Sequence, residues 1–152
     1  MKLENIIQRT GVVNDSMTVS QGFDECVRNQ VPGIPCVDAS DKVIGCFSIS
    51  KTLLSAFIPE IMVDYADLLE SDPGSLKIPE QRVDKILSLP ACLFASKDNI
   101  EISSDTSVST TVALMEKHRT DYLFVIDDGD YHGVVTIDGI AKRMLEIESA
   151  GS

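Results

Sequence analysis

The sequence lacks the features that favour a membrane or a nucleic acid as partner. No apolar run approaches the roughly 20 residues that a helix needs to cross a bilayer. Only 13 Lys and Arg residues stand against 24 Asp and Glu residues, which leaves a net charge of −11. A field of that sign repels phosphate backbones and anionic lipids, because no basic stripe offsets it. We therefore expect neither nucleic acid nor membrane as a partner.

Secretion is not expected either. The N-terminal run Met-Lys-Leu-Glu-Asn carries no apolar signal core. We expect a cytoplasmic protein.

Motifs for catalysis are scarce as well. Neither His118 nor His132 has a Ser or Cys neighbour in a nucleophile motif, and no glycine-rich phosphate loop is present. Acidic residues gather around His132, but their spacing differs from that of a calcium-binding EF-hand loop. A polar hairpin turn explains this cluster. We therefore predict that the chain is not an enzyme and requires no cofactor.

Four cysteines are present, without the Cys-x-x-Cys spacing of a zinc site: Cys26, Cys36, Cys46 and Cys92. In a cytosolic protein we interpret them as buried thiols. A second hypothesis is a metal or redox sensor that uses Cys36 and Cys46, which are predicted to lie on facing strands of one hairpin.

Two similar hairpins organise the rest of the chain. Apolar runs at Leu123–Ile126 and Gly133–Val135 flank the turn Asp128-Gly129, which is the pattern of a β-hairpin. The Thr136-Ile137-Asp138 run that follows is predicted to cap a helix. A weaker version of this pattern lies at Ile34–Leu54, where Ser48 or Ser50 opens the helix.

A helix precedes the first hairpin. Residues 18–29 carry a capping box formed by Thr18 and Gln21. An inward face is predicted for Val19, Phe23, Cys26 and Val27. Upstream of it, residues 3–9 predict a short helix and residues 11–13 a short strand.

The second half of the chain repeats the first. Ser107 follows Thr18 by 89 residues (107 − 18), and Asp127 follows Asp38 by the same interval. After one residue is lost in the turn, Thr136 follows Ser48 by 88 residues (136 − 48). Hydrophobic pattern, caps and turns agree at each step. We infer a mixed α/β fold built from a duplicated β-α-β-β-α unit.

The middle of the chain differs from both copies. Residues 59–70 predict an acidic amphipathic helix with Pro59 in its first turn. Such a charge run is typical of a solvated face. The alternative is that Ile61, Tyr65 and Leu68–Leu69 dock a partner or a second subunit.

The duplication resembles the CBS domain, and the tandem pair resembles a Bateman module. The pattern of a hairpin that closes on Gly, two apolar residues and Ser or Thr before a helix covers residues 3–48 and 83–146. We predict a first unit at residues 1–54, an acidic helical insertion at residues 55–82 and a second unit at residues 83–149.

The resemblance implies a non-catalytic sensor. Paired units of this family pack about a pseudo-twofold axis and leave two clefts, which bind adenosine-type ligands such as AMP, ADP, ATP or S-adenosylmethionine. Family members form homodimers and modulate a partner enzyme or transporter. The alternative is a degenerate pair that serves for dimerisation or protein docking without a nucleotide.

The family motif also implies site residues. Its hydroxyl, which meets phosphate, corresponds to Ser48 and Thr136, and Thr136 is the stronger candidate because its unit matches better. Three residues on, where the family holds ribose with an Asp, stand Lys51 and Gly139. Losing a charge-assisted hydrogen bond of roughly 1.5–3 kcal/mol would weaken a ribose ligand about ten- to a hundredfold. Asp138 lies one position early and is better interpreted as a helix N-cap.

Further ligand candidates surround these positions. His118 and Arg119 end a helix near the expected cleft mouth, where they either bind phosphate or simply place positive charge at a helix C-terminus. Lys51 is a phosphate candidate or a solvated side chain. The remaining candidates are Ile34, Pro35, Tyr122 and Leu123.

Overall fold

The computed structural model describes residues 1–57, 81–98 and 100–151. The acidic helix predicted at residues 59–70 lies outside these residues, and so does most of the predicted insertion. The proposed unit boundaries therefore stay predictions.

Each half forms a small β-sheet of its own together with helices. The first half holds a 3-10 turn at Leu3–Asn5, followed by α1 (Val19–Arg28), β1 (Gly33–Val37), β2 (Val43–Ser48) and α2 (Ile49–Phe57). The second half holds α3 (Gln81–Leu87), a 3-10 turn at Ala91–Phe94, β3 (Glu101–Ile102), α4 (Val108–His118), β4 (Tyr122–Asp127), β5 (Asp130–Thr136) and α5 (Ile137–Gly151). The mixed α/β class and both hairpins are confirmed.

Strand pairing repeats between the halves. Strands β1 and β2 are antiparallel, and so are β4 and β5. Strand β3 pairs in parallel with β4 through Ile102 and Val125. In the first half a parallel bridge joins Val13 to Cys36, each 89 residues earlier (102 − 13 and 125 − 36). The strand predicted at residues 11–13 is thus a single bridge.

The caps of α1 and α4 are present. Thr18 and Gln21 form the capping box of α1, and Ser107 accepts a hydrogen bond from the backbone N–H of Thr110 at the start of α4. The predicted inward face of α1 is wrong at Val27, which is 66% exposed. The buried stripe runs through Val19, Gly22 and Cys26, and Val27 lies about 100° around the helix from Cys26.

The N-terminal helix predicted at residues 3–9 is also wrong. Only the 3-10 turn Leu3–Asn5 forms, because the chain then extends to pair with the other half. The backbone N–H of Gln8 donates to the carbonyl of Val134 at 2.8 Å, and the N–H of Val134 donates to the carbonyl of Gln8 at 2.9 Å. A helix at Gln8 would use the same backbone groups.

The leading segment of the second half makes the equivalent contact with the first hairpin. The N–H of Cys46 donates to the carbonyl of Ser96 at 2.6 Å, and the N–H of Ser96 donates to the carbonyl of Cys46 at 2.8 Å. Ser96 follows Gln8 by 88 residues (96 − 8), as Val134 follows Cys46 (134 − 46). The segment that precedes each unit therefore pairs with the hairpin of the other, and we call this pair of contacts the reciprocal crossing.

Side-chain packing follows the reciprocal crossing. Leu3 and Ile6 pack into a cluster with Ile102, Val125 and Ile140 from the second half. A second cluster unites core residues of both halves: Val13, Val19, Ile34, Phe47, Ala91, Phe124 and Val134. Most of these side chains are almost fully buried, and each fully buried aliphatic or aromatic side chain contributes about 1.5–3 kcal/mol. The halves therefore share their core.

The cysteines lie in or beside this core. Cys36 pairs with Gly45 and Cys46 with Pro35 on consecutive rungs of the first hairpin, so their side chains point to opposite faces. Burial raises the pKa values of Cys26 and Cys36 to about 12. Among the described residues, no group of three or more His, Cys, Asp or Glu side chains is placed to hold a metal. This geometry gives the redox hypothesis for Cys36 and Cys46 no support.

No helix among the described residues combines the length and the apolar character that a membrane span requires.

Two glycines make the reciprocal crossing sterically feasible. A Cβ atom on Gly45 would lie 2.7 Å from the carbonyl oxygen of Ser96. A Cβ atom on Gly133, 88 residues later (133 − 45), would lie 2.5 Å from the carbonyl oxygen of Gln8. Backbone cannot move away as a side-chain end can, so both positions require glycine.

We predict that Gly45→Ala lowers the free energy of unfolding by about 1–3 kcal/mol, because the methyl group separates two paired backbones. Urea unfolding measures this loss. Gly11→Ala is the matched control, since its Cβ meets only the flexible end of the Glu25 side chain at 3.1 Å. Equal free energies for both variants would contradict the steric role of Gly45.

Candidate functional site

Two clefts lie where one half meets the other. Cleft A has a volume of about 570 Å³ and lies between the start of α2 and the turn that joins α4 to β4. Cleft B has a volume of about 440 Å³ and lies between the start of α5 and the turn that joins α1 to β1. Each cleft thus takes one wall from each half.

The turns that form the clefts have the same backbone conformation. Arg119 and Gln30 both adopt left-handed conformations, with φ angles of 51° and 56°. The N–H of the next residue then donates to a carbonyl five positions back, Thr120 to Met115 and Val31 to Cys26, at 3.0 Å in both cases. The clefts are therefore equivalent positions of a duplicated unit, 89 residues apart (119 − 30).

Ser48 and Thr136 begin the helices that form the opposite walls. The Ser48 hydroxyl accepts a hydrogen bond from the backbone N–H of Lys51 at 3.2 Å, and the Thr136 hydroxyl accepts one from Gly139 at 2.9 Å. Of the two serines considered for the first helix, Ser48 is therefore the cap. Each hydroxyl keeps its own hydrogen as a donor, and for Ser48 the Tyr122 hydroxyl is a neighbouring hydrogen-bonding group.

The prediction that Asp138 is an N-cap is wrong. Helix α5 begins at Ile137, so Asp138 lies inside its first turn. The Thr136 hydroxyl already holds the backbone N–H that a cap would bind. An acidic side chain in the first turn is still favourable, because it faces the positive end of the helix dipole.

The charges of cleft A are mainly positive. Lys51 and Arg119 are its cations, the imidazole of His118 lies beside them, and Asp98 is its only carboxylate among the described residues. The Lys51 ammonium group donates to the Ser96 hydroxyl at 3.0 Å. No ion pair within 4.0 Å forms between either Lys51 or Arg119 and another described residue. Cleft A therefore concentrates positive charge locally on a chain whose net charge is −11.

The wall of cleft A beside these cations is more apolar. Leu123 and Phe124 from β4 and Ile100 lie along it. The Tyr122 hydroxyl lies 3.1 Å from the Cys46 sulfur, and the Tyr122 and Phe124 ring centroids are 5.8 Å apart. Burial raises the pKa of Tyr122, so its hydroxyl stays protonated as a hydrogen-bonding group.

Cleft B balances its charges internally. Lys142 and Arg143 line it together with Asp138 and Glu146. The Arg143 guanidinium lies 3.3 Å from the Glu146 carboxylate. Where cleft A has His118, cleft B has Asn29, whose amide already donates to the carbonyl and to the carboxylate of Glu25. Cleft B therefore attracts an anion less strongly than cleft A does.

The structure brings most of the residues predicted from the sequence to the two clefts. Cleft A is lined by six of them: Ser48, Lys51, His118, Arg119, Tyr122 and Leu123. Thr136 and Asp138 line cleft B. Ile34 and Pro35 are buried in β1 and line neither cleft.

Sequence reasoning missed several lining residues. Asp98 in cleft A and Lys142 and Arg143 in cleft B are the charged ones that matter most. Asp98 follows a segment without helix or strand periodicity, so only the repeat gave a signal. Extending the 88-residue register back to Gln8 and Ser96 would have placed this segment beside the first hairpin.

The family model of the CBS domain matches residues 93–146. No curated protein sequence gives a significant match. This sequence match covers the second unit, including one wall of each cleft.

Solved structures of CBS-domain proteins match almost the whole chain. The CBS domain of a membrane protein from Sphaerobacter thermophilus has a TM-score of 0.66 at 19% identity, covering 93% of this chain and 86% of that chain. A CBS-domain-containing protein from Agrobacterium tumefaciens has a TM-score of 0.61 at 13% identity, with coverages of 92% and 87%. The structure of CBSX2 in complex with AMP has a TM-score of 0.62 at 18% identity, with coverages of 97% and 98%.

These similarities agree with the duplication and with the two clefts that the reciprocal crossing forms. Residues 93–146 match the CBS-domain family model, and the chain as a whole has the fold of solved CBS-domain proteins.

Proposed function

We propose that the chain is a non-catalytic regulatory module that binds an adenosine-type ligand, such as AMP, ADP, ATP or S-adenosylmethionine, in cleft A. One observation carries the proposal: Lys51, His118 and Arg119 line the same cleft as the Ser48 hydroxyl. The cations of cleft A would attract an anion locally, although the net charge of the chain is −11. The AMP complex of CBSX2, which shares the fold, supports the ligand class.

The ligand would lie across cleft A. A phosphate group accepts hydrogen bonds from the Ser48 hydroxyl and from the cations of Lys51 and Arg119, which are charge-assisted and hence strong. The flat base packs against Ile100, a partly exposed side chain of the more apolar wall. A cleft of about 570 Å³ falls within the range of small-molecule sites.

The groups in cleft A suit binding better than catalysis. The Ser48 hydroxyl is engaged as a helix cap, and Tyr122 is held protonated by burial. Neither is activated as a nucleophile by a neighbouring base in a known motif. We propose that occupancy of the cleft instead changes how the two halves pack, and that a partner enzyme or transporter responds to this change.

A thermal-melt panel tests ligand binding. The purified chain is melted with millimolar AMP, ADP, ATP or S-adenosylmethionine. A ligand at a hundred times its dissociation constant adds about 2.7 kcal/mol of stability, which raises the melting temperature by about 5–10 °C. We expect such a shift for at least one member of the panel. No shift with any of the four would contradict the proposed ligand class.

The two cap hydroxyls provide a matched pair of variants that separates the clefts. Ser48→Ala and Thr136→Ala each remove a helix N-cap, so each lowers stability by about 1 kcal/mol. Only Ser48→Ala should also weaken the nucleotide, by about ten- to a hundredfold, because it removes a bond to phosphate.

Isothermal titration of both variants measures the difference. Loss of affinity in Thr136→Ala alone would assign the ligand to cleft B, where Thr136 was the preferred candidate from the sequence. Equal affinity in both variants and in the unmodified chain would contradict a role for either hydroxyl.

A second candidate function is dimerisation or protein docking without a nucleotide. It is favoured by apolar side chains on α5 that stay largely exposed: Met144, Leu145 and Ile147 are 58%, 63% and 46% exposed. The absence of the ribose carboxylate at Lys51 and Gly139 favours it as well. A homodimer would cover this apolar face.

Sedimentation velocity tests the docking function. The protein should sediment as a dimer with or without nucleotide, and Leu145→Glu should shift it to monomers because a buried unpaired charge opposes association. Val27→Glu makes the same chemical change on α1, where Val27 is 66% exposed, and serves as the control. A monomer that binds nucleotide tightly would overturn the docking function.

A further inference from the structure

We propose that Asp98 recognises the two adjacent hydroxyl groups of the ligand's ribose and makes cleft A selective for ribonucleotides. This inference rests on the proposed function of cleft A. Lys51 stands where the family motif holds the ribose with an Asp, so the inference assigns the two hydroxyl groups to a different residue.

Cleft A offers a single carboxylate to such a ligand among the described residues. A carboxylate accepts two hydrogen bonds at once and suits two adjacent hydroxyl donors. Lys51, at the third position after Ser48, can only donate. Asp98 is the one carboxylate that lines cleft A among the described residues. Recognition of a diol therefore falls to Asp98.

The reciprocal crossing fixes where Asp98 lies. Two backbone hydrogen bonds hold Ser96 to Cys46. Cys46 lies two residues before Ser48, the cap of α2. The Ser96 hydroxyl accepts from the N–H of Asp98 at 3.1 Å and from the Lys51 ammonium at 3.0 Å. The Ser96 hydroxyl thus links the backbone of Asp98 to the side chain of Lys51, which stands where the family motif has its Asp.

The Asp98 carboxylate has no partner among the described side chains. No hydrogen bond or ion pair to its oxygens is formed there, although Lys51 is held on the same serine. Its charge repels a phosphate, which is drawn to Lys51 and Arg119 instead. These opposite preferences orient the ligand, with the sugar hydroxyls toward Asp98 and the phosphates toward the cations.

Isothermal titration with paired nucleotides tests this assignment. AMP, ADP and ATP are each compared with their 2′,3′-dideoxy counterparts on the unmodified chain and on Asp98→Asn. The unmodified chain should prefer the ribonucleotide by about ten- to a hundredfold. Asp98→Asn should lose most of this preference while its affinity for the dideoxy nucleotide stays the same or rises, because one negative charge is gone.

Asp128→Asn is the control, since Asp128 lies in the exposed hairpin turn and its removal changes the net charge equally. It should keep the preference in full. A preference that survives in Asp98→Asn, or its absence in the unmodified chain, would overturn the role of Asp98 and leave the nucleotide site standing. If the unmodified chain binds none of the three ribonucleotides, the proposed nucleotide site fails as well.

Discussion

The structure depends on the reciprocal crossing, in which each half lends its leading segment to the hairpin of the other. Four backbone hydrogen bonds form it, and two glycines allow the backbones to approach. Such bonds contribute about 1 kcal/mol each on balance, so their main effect is geometric. They set the register in which the halves meet. That register places the helix start of one half against the helix-ending turn of the other, and the clefts lie between these elements.

Much of this arrangement could be predicted from the sequence. Local signals were sufficient for the two hairpins and for the caps at Thr18 and Ser107, because these depend on neighbouring residues alone. The repeat revealed that two equivalent sites exist. Long-range pairing was not predictable, since the bridges at Gln8 and Ser96 join residues more than 40 positions apart. The error at residues 3–9 has this origin: an apolar pattern compatible with a helix was overridden by pairing to β5.

The candidate site was predicted in part for the same reason. Residues belonging to the repeated motif, such as Ser48 and Thr136, were found from their spacing. Asp98 was missed because its place in cleft A comes from the reciprocal crossing rather than from a motif. Asp138 was misread as the N-cap, which lies two residues earlier, because Thr136 already supplies the capping hydroxyl. Motif reasoning thus identified the hydroxyls that cap the helices, and it missed Asp98 after a crossing segment and Lys142 and Arg143 along α5.

The two clefts of the duplicated unit share the backbone conformation of their turns and differ in the charged side chains that line them. Cleft A keeps cations without ion-pair partners among the described residues, whereas cleft B pairs Arg143 with Glu146. A ligand carrying phosphate therefore distinguishes the clefts although their backbones match. Binding in cleft A would contact both halves at once, because Ser48 and Arg119 come from different units. A module of this kind can report occupancy through a small change in how its halves pack.

The central claim, that an anionic nucleotide occupies cleft A, is tested most directly by following backbone amide resonances during a nucleotide titration. We predict the largest shifts at residues 48–52 and 118–123, on the two walls of cleft A. Shifts confined to residues 29–31 and 136–140, on the walls of cleft B, would contradict the account.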